Sequence, residues 1–168
     1  MVELTQDDLE NNAAALGQAL MARGWMLAAA ESCTGGWAAQ AITAVPGSSA
    51  WFDRGFVTYS NAAKTEQLGV PEVTLDAQGA VSEATVCAMA EGVLRHSHAR
   101  AAFAISGIAG PGGGSAFKPV GTVCFAWAVT GQPVIANTRH FDGDRRLVRM
   151  HAVEYALSEM RAILATMP

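Results

Sequence analysis

The spacing of apolar positions along the chain predicts helices that alternate with strands. Apolar residues recur at helical spacing between Leu9 and Leu20, after the capping residue Thr5, and they predict an amphipathic helix over residues 5–23. The apolar runs at residues 26–30 and 101–105 are short and are typical of buried central strands.

The same patterns predict the remaining elements. Further helices are expected over residues 37–45, over 61–67 with Asn61 as the cap, from 82 onward and from 144 to about 165. Further strands are expected over residues 55–60, 120–131 and 134–141. The last two strands are joined at Gly131-Gln132-Pro133, which predicts a hairpin. Together these elements indicate a mixed sheet with helices on both faces.

Composition and charge narrow the class of protein. The 168 residues, 51% hydrophobic and 15% charged, are enough for one domain, residues 1–168, with a sizeable core. Nucleic acid is not expected as a partner, because the net charge is −4 and a protein that binds a phosphate backbone carries a basic surface. Three cysteines without CxxC spacing, and no N-terminal leader, predict a cytoplasmic protein. No membrane partner is expected, because the apolar stretches are shorter than the roughly 20 residues of a membrane helix.

Four patches of glycine and small polar residues interrupt the apolar pattern, at residues 31–36, 47–49, 59–64 and 106–115. Ligands of open α/β sheets bind at the carboxyl ends of strands, so we expect these patches to converge on one pocket. The first patch, ESCTGG, precedes a predicted helix whose free N–H groups favour an anion, although an ordinary N-cap uses the same atoms. The glycine-rich segment GIAGPGGG predicts either close backbone approach to a ligand or a flexible connection between two strands.

Lys64 is the strongest candidate for a catalytic base. The four histidines do not form a Ser-His-Asp set, whereas a lysine whose pKa is lowered by burial can activate a serine. A solvated lysine paired with a carboxylate is the alternative. Sequence spacing does not choose the serine; the candidates are Ser32, Ser48, Ser49, Ser60 and Ser106.

Other motifs contribute less. Tyr59 and Lys64 have Tyr-x4-Lys spacing, not the Tyr-x3-Lys of short-chain dehydrogenases, and no GxGxxG follows the first strand. Arg145, near the start of the last helix, needs a partner, either a ligand phosphate or carboxylate or a neighbouring aspartate. No His, Cys, Asp and Glu cluster has metal-ligand spacing, so neither a metal nor a cofactor is expected.

Several long motifs occur in a fixed order: AESCTGG, PGSSAWFDRGFVTYSNAAK, LGV, GAVSE, SGIAGPGGGSAFKPVGTV and FDGDR. In these motifs the chain resembles, over nearly its whole length, the C-terminal domain of the CinA competence/damage-inducible family, which includes stand-alone nicotinamide-nucleotide amidases. The resemblance implies a three-layer α/β/α fold with a mixed, mostly parallel central sheet. It also implies hydrolysis of nicotinamide mononucleotide to nicotinate mononucleotide and ammonia, in pyridine-nucleotide salvage.

The resemblance further implies a Ser-Lys pair with Ser49 as nucleophile and Lys64 as base, assisted by Tyr59. The backbone N–H groups of a glycine-rich turn are expected to hold the tetrahedral intermediate. The residues expected to bind the substrate are Ser32, Thr34, Gly35, Gly36, Ser106, Gly107 and Arg145.

Other interpretations stay open. The chain is either this enzyme, a nucleotide-binding or regulatory module without turnover, or an amidase for another small carboxamide. A homodimer is expected. Trp51, Phe52 and Trp127 do not decide it, because these large apolar residues can bury in a symmetric interface as readily as in the core.

Overall fold

A five-stranded mixed sheet forms the centre of the structure, a computed structural model that describes residues 4–168. The strands are β1 (Leu27–Glu31), β2 (Phe52–Val57), β3 (Ala101–Gly107), β4 (Thr122–Val129) and β5 (Ile135–His140), in the spatial order β2-β1-β3-β4-β5. β1 is parallel to both of its neighbours, and only β4 runs in the opposite direction among the strands of this sheet in residues 4–168. The predicted mixed, mostly parallel sheet and the hairpin of its last two strands are confirmed.

Two layers of helices cover the sheet. The helices are α1 (Gln6–Arg23), α2 (Trp37–Thr43), α3 (Asn61–Leu68), α4 (Glu72–Gln78), α5 (Glu83–Arg95) and α6 (Arg145–Thr166), with a short 3-10 helix at Ser48–Ala50. One core joins the sheet to α1, α2 and α6, and a second core joins it to α3, α4 and α5. The three-layer α/β/α prediction is therefore confirmed.

The alternation of side chains along the strands explains these two cores. Phe103 and Ile105 of β3 face α1 and α6, whereas Ala102 and Ala104 face α5. Successive residues of a strand point to opposite faces, so the sheet has one face of large side chains and one face of alanines. Helix α5 can therefore lie close to the sheet.

The helices begin after capping residues, and the cap predicted for α3 was wrong. Thr5 forms a capping box with Asp8, Ser82 caps α5 and Asp144 caps α6. The cap of α3 is Ser60, whose hydroxyl accepts from the backbone N of Ala63 at 3.0 Å, and not Asn61 as predicted.

Two further predictions about elements were wrong. The second strand occupies Phe52–Val57 and not residues 55–60, because the chain turns after Thr58 to reach Ser60, the cap of α3. Helix α4 was not predicted; it is seven residues long and buries only Leu75, so its sequence has little apolar periodicity.

The large aromatic residues belong to the core of one chain. Trp51 and Trp127 are each 1% exposed, and the indole N–H of Trp127 donates to the Ala156 carbonyl at 3.0 Å. Phe52 packs against the same core. These rings therefore do not form the dimer surface that was considered for them.

Within residues 4–168, no helix combines the length and the apolar character needed to cross a bilayer.

Candidate active site

A cleft of about 220 Å³ lies where β1, β2 and β3 end. It is lined by Ser32, Cys33, Tyr59, Asn61, Lys64, Ala80, Val81, Ser106, Gly107, Ala109 and Arg145. Three of the four predicted patches converge here, as expected from the carboxyl ends of parallel strands. The patch at residues 47–49 does not converge, because it follows helix α2 rather than a strand.

Larger grooves occur elsewhere in the described chain, and one of about 630 Å³ lies between α1 and α6. Its lining includes Asp8, His151 and Arg161 but no lysine, and it is a shallow, open surface. Chemistry rather than size therefore selects the cleft at the strand ends.

Lys64 and Ser32 form the central contact of the cleft. The Lys64 Nζ donates to the Ser32 Oγ at 3.0 Å and to the Thr58 carbonyl at 2.8 Å. The lysine is 1% exposed, and no carboxylate in residues 4–168 forms an ion pair with it. Burial lowers the pKa of Lys64 below its ordinary value, because the charged form loses water without gaining a counter-ion. A lysine whose pKa is lowered in this way is able to act as a general base.

The ends of two parallel strands bring this pair together. Thr58 N donates to the Glu31 carbonyl at 2.9 Å and Ser32 N donates to the Ile105 carbonyl at 2.9 Å, so the first residues beyond β1 and β2 stay in register. Helix α3 then starts at Ser60 and turns Lys64 inward, on the buried side of the helix that also carries Leu68.

The structure does not bring Ser49 to Lys64. Ser49 lies in the 3-10 helix before β2, at the edge of the sheet where β1 begins, since Leu27 N donates to the Trp51 carbonyl. The six residues of β2 span about 20 Å of extended chain. The predicted Ser49–Lys64 pair is therefore not found within one chain, and Ser32 occupies that position.

The start of α2 is not an open anion site, contrary to the prediction. The buried carboxylate of Glu31 accepts from the backbone N of Gly36, Ala38 and Ala39 at 2.9 to 3.2 Å. Gly35 N donates to the Ser32 carbonyl at 3.0 Å. Gly35 and Gly36 therefore have no free N–H for a phosphate, and they do not line the cleft.

Arg145 spans the mouth of the cleft. Its guanidinium donates to the Gly110 carbonyl at 2.8 Å and to the Tyr59 hydroxyl at 3.0 Å. The predicted alternative partner Asp144 instead caps α6 through Leu147 N. Tyr59 is 62% exposed, and its described hydrogen bond is to Arg145 rather than to Lys64, so the expected contact with the base is absent from residues 4–168.

Ser106 and Gly107 form the β3 wall of the cleft. The Ser106 hydroxyl donates to the Ala80 carbonyl at 2.7 Å and is left free to accept from a ligand. A Cβ on Gly107 would lie 2.7 Å from a Val123 methyl group, so packing in the sheet requires this glycine.

The thiol of Cys33 is not a nucleophile. It is 6% exposed, and burial raises its pKa to about 12, so it stays protonated at neutral pH. It fills the wall behind Ser32.

Sequence reasoning missed two residues that shape the site, Glu31 and Arg149. The Arg149 guanidinium donates to the carbonyls of Cys33 and Thr34, each at 3.0 Å. A lone carboxylate at the end of an apolar strand was a usable signal for Glu31. Arg149 gave no comparable signal, because it contacts the turn only through the packing of α6.

Residues 9–164 match the sequence profile of the CinA C-terminal domain. The chain belongs to this family. It is 58% identical over 142 residues to the nicotinamide-nucleotide amidohydrolase PncC of Enterobacter agglomerans, covering 84% of this chain and 87% of the relative. It is 53% identical over 157 residues to the protein of the same name from Escherichia coli K12, covering 94% and 95%.

A solved family structure has the same fold. The competence/damage inducible protein CihA from Agrobacterium tumefaciens superposes with a TM-score of 0.91 at 45% identity, covering 98% of this chain and 100% of that one.

Proposed function

We propose that this chain is a nicotinamide-nucleotide amidohydrolase, a single amidase domain that converts nicotinamide mononucleotide to nicotinate mononucleotide and ammonia in pyridine-nucleotide salvage. One observation carries the proposal: a buried lysine, which forms no ion pair within residues 4–168, contacts a serine hydroxyl at 3.0 Å in a cleft at the strand ends. The relatives that are 53% and 58% identical, both named as this enzyme, support the choice of substrate.

Acylation starts from neutral Lys64. Its Nζ keeps one N–H on the Thr58 carbonyl and directs its lone pair to the hydroxyl of Ser32. The lysine takes the proton, and Oγ forms a bond to the carboxamide carbon. The lysine ammonium then protonates the amide nitrogen as the C–N bond breaks, and ammonia leaves an acyl-enzyme.

Deacylation uses the same base. Water transfers a proton to Lys64 and attacks the acyl carbon, the bond to Ser32 Oγ breaks, and the lysine returns the proton to the serine. The products are a carboxylate and the free enzyme, so one water is consumed for each ammonia released. No metal is needed, because the lysine supplies the base and serine supplies the nucleophile.

The shape and charge of the cleft favour a small nucleotide. At about 220 Å³ it accommodates the pyridine ring and part of the ribose, and Arg145 with Tyr59 lies at its mouth, where the phosphate would emerge. Ser106 is placed to accept a hydrogen bond from the carboxamide or ribose inside, since its own proton is donated to the Ala80 carbonyl.

The test is ammonia release from nicotinamide mononucleotide by wild type and three variants: Ser32→Ala, Lys64→Met and Ser49→Ala. We expect the first two to lose about a thousandfold or more in kcat while remaining folded by circular dichroism. Ser49→Ala should retain activity within about threefold, because Ser49 is exposed at the opposite edge of the sheet.

Other outcomes separate the alternatives. An active Ser32→Ala and an inactive Ser49→Ala would overturn the choice of nucleophile. If the wild-type protein binds the nucleotide in calorimetry but releases no ammonia, a binding or regulatory module would be favoured. The competence/damage-inducible name of the Agrobacterium relative is in keeping with such a function. If the protein releases ammonia only from other small carboxamides, the proposed amidase activity would stand and the proposed substrate would be wrong.

We also infer that the protein works in the cytoplasm on a free nucleotide, with neither nucleic acid nor membrane as a partner, in keeping with its net charge of −4. The homodimer stays a prediction, which sedimentation analysis would check.

A further inference from the structure

The turn that follows Ser32 is held by a guanidinium on α6. Arg149 donates from Nε to the Cys33 carbonyl and from Nη2 to the Thr34 carbonyl, each at 3.0 Å. Its guanidinium carbon lies 5.2 Å from the centre of the Trp37 ring. No carboxylate in residues 4–168 forms an ion pair with it. The arginine is therefore fixed by contacts on two sides and directs its charge at the two carbonyls.

The backbone donors of this turn are almost all occupied. Ser32 N donates to Ile105, Gly35 N donates to Ser32, and the start of α2 donates to Glu31 and Thr34. The N–H groups of Cys33 and Thr34 are the exceptions between residues 32 and 39, since neither donates to an oxygen within residues 4–168.

These two donors belong to buried residues: Cys33 is 6% exposed and Thr34 is fully buried. Buried N–H groups are almost always paired with protein, water or ligand. Here they directly follow the proposed nucleophile, and Cys33 lines the cleft. The N–H of the residue after a nucleophilic serine is a common donor to the oxyanion of acyl transfer.

Arg149 sets the direction of one of these donors. The C=O and N–H of a trans peptide point in opposite directions, and Arg149 holds the Cys33 carbonyl towards α6. The Thr34 N–H of the same peptide is thus turned away from α6. A cation on the carbonyl also polarises the peptide and strengthens its N–H as a donor.

We propose that the N–H groups of Cys33 and Thr34 form the oxyanion site, and that Arg149 is the positioning residue that orients and polarises the Thr34 N–H. Arg149 does not touch the substrate, because its donors are committed to the two carbonyls. This inference rests on the proposed Ser32 chemistry. It assigns to Arg149 a contribution made in the transition state rather than in substrate binding.

The test compares Arg149→Ala and Arg149→Lys with Arg161→Ala, which removes an exposed arginine from the same helix. We expect kcat of Arg149→Ala to fall about tenfold to a hundredfold with KM within about twofold, and Arg161→Ala to behave as wild type. Arg149→Lys should recover little, since one ammonium does not reproduce the two-point contact.

Rescue by free guanidinium distinguishes a loss of kcat caused by lost positioning of the turn from a loss caused by lower stability of the fold. At concentrations that leave the melting temperature unchanged, guanidinium should raise kcat of Arg149→Ala and leave Arg161→Ala unaffected. Equal kcat in Arg149→Ala and wild type, or a fall in kcat that only tracks the unfolded fraction without any rescue, would overturn the inference.

A second readout does not depend on nicotinamide mononucleotide. A serine-directed sulfonyl fluoride sulfonylates Ser32, with formation of the O–S bond and loss of fluoride, while the hydroxyl proton passes to Lys64. Mass spectrometry would follow this labelling, which we expect to slow in Arg149→Ala by a factor similar to that in kcat. If wild type is labelled at Ser32 but releases no ammonia, the proposed substrate fails while the labelling rates still support or overturn the role of Arg149.

Discussion

At the scale of single residues, the proposed mechanism makes the chemistry of the cleft depend on the protonation state of Lys64. Only neutral Nζ can accept the proton of Ser32, and burial lowers the lysine pKa, so the neutral form is populated at lower pH than for an exposed lysine. Activity should therefore rise with pH through the lysine pKa. The rising limb of the pH–rate profile measures that pKa directly.

A carboxylate placed beside Lys64 should shift the rising limb of the pH–rate profile. Asn61 lines the cleft and is the first residue of α3, where aspartate is favourable to the helix. Asn61→Asp places a negative charge near Nζ, which favours the protonated lysine and raises its pKa. We expect the acidic limb of kcat/KM to shift to higher pH by about half to one unit.

Asn11→Asp is the matched control, because it makes the same change on the exposed side of α1, far from the cleft. Its profile should coincide with that of wild type. A limb that does not move in Asn61→Asp would mean that Lys64 is not the group that titrates.

At the scale of elements, the start of α2 depends on Glu31. Its buried carboxylate accepts three backbone N–H groups that have no acceptor within the helix. This contact ties the end of β1 to the first turn of α2 and encloses the turn that carries Ser32. The helix dipole is thus neutralised by the protein itself and not by a ligand.

Removing this carboxylate should destabilise the fold. Glu31→Ala leaves three backbone donors unpaired, those of buried Ala38 and of half-buried Gly36 and Ala39, and opens a cavity. We therefore expect the free energy of unfolding in urea to fall by about 2–4 kcal/mol. Glu31→Gln retains the shape and one acceptor oxygen, and it should lose about half as much. Glu91→Ala, on the exposed side of α5, should change stability by less than about 0.5 kcal/mol. Equal stability of Glu31→Ala and wild type would contradict this role.

At the scale of the whole molecule, the position of α3 depends on how closely it packs against α5. A Cβ on Gly92 of α5 would collide with the backbone carbonyl of Leu68 at the end of α3. Because α3 also carries Lys64, this contact links the packing of two helices to the geometry of the cleft.

Gly92→Ala should therefore reduce both stability and activity. We expect a loss of about 1–3 kcal/mol in unfolding free energy, and a lower kcat in the fraction that remains folded, because α3 must shift away from α5. Gly112→Ala is the control, since a Cβ there meets nothing within 4 Å and the backbone is not in the left-handed region. Wild-type stability in Gly92→Ala would show that the two helices are not held by this contact.

Much of this arrangement was predictable from the chain. Apolar periodicity predicted α1, β1, β3 and the β4–β5 hairpin, because buried faces impose their period on the sequence. Helix α4 and the position of β2 were not predictable in this way, since α4 buries one residue and both faces of β2 are largely exposed or half-buried.

The sequence by itself determined the layers of the fold and the family, and it singled out Lys64 as the candidate base. Only the tertiary structure decided which serine it meets: Ser32 and Ser49 both lie in small polar turns, and the parallel register of β1 and β2 places the first beside Lys64 and the second at the opposite edge. The tertiary structure likewise decided that Glu31 occupies the α2 amides. The physical reason is that contacts between residues distant in sequence depend on strand order and register, which local patterns of polarity do not encode.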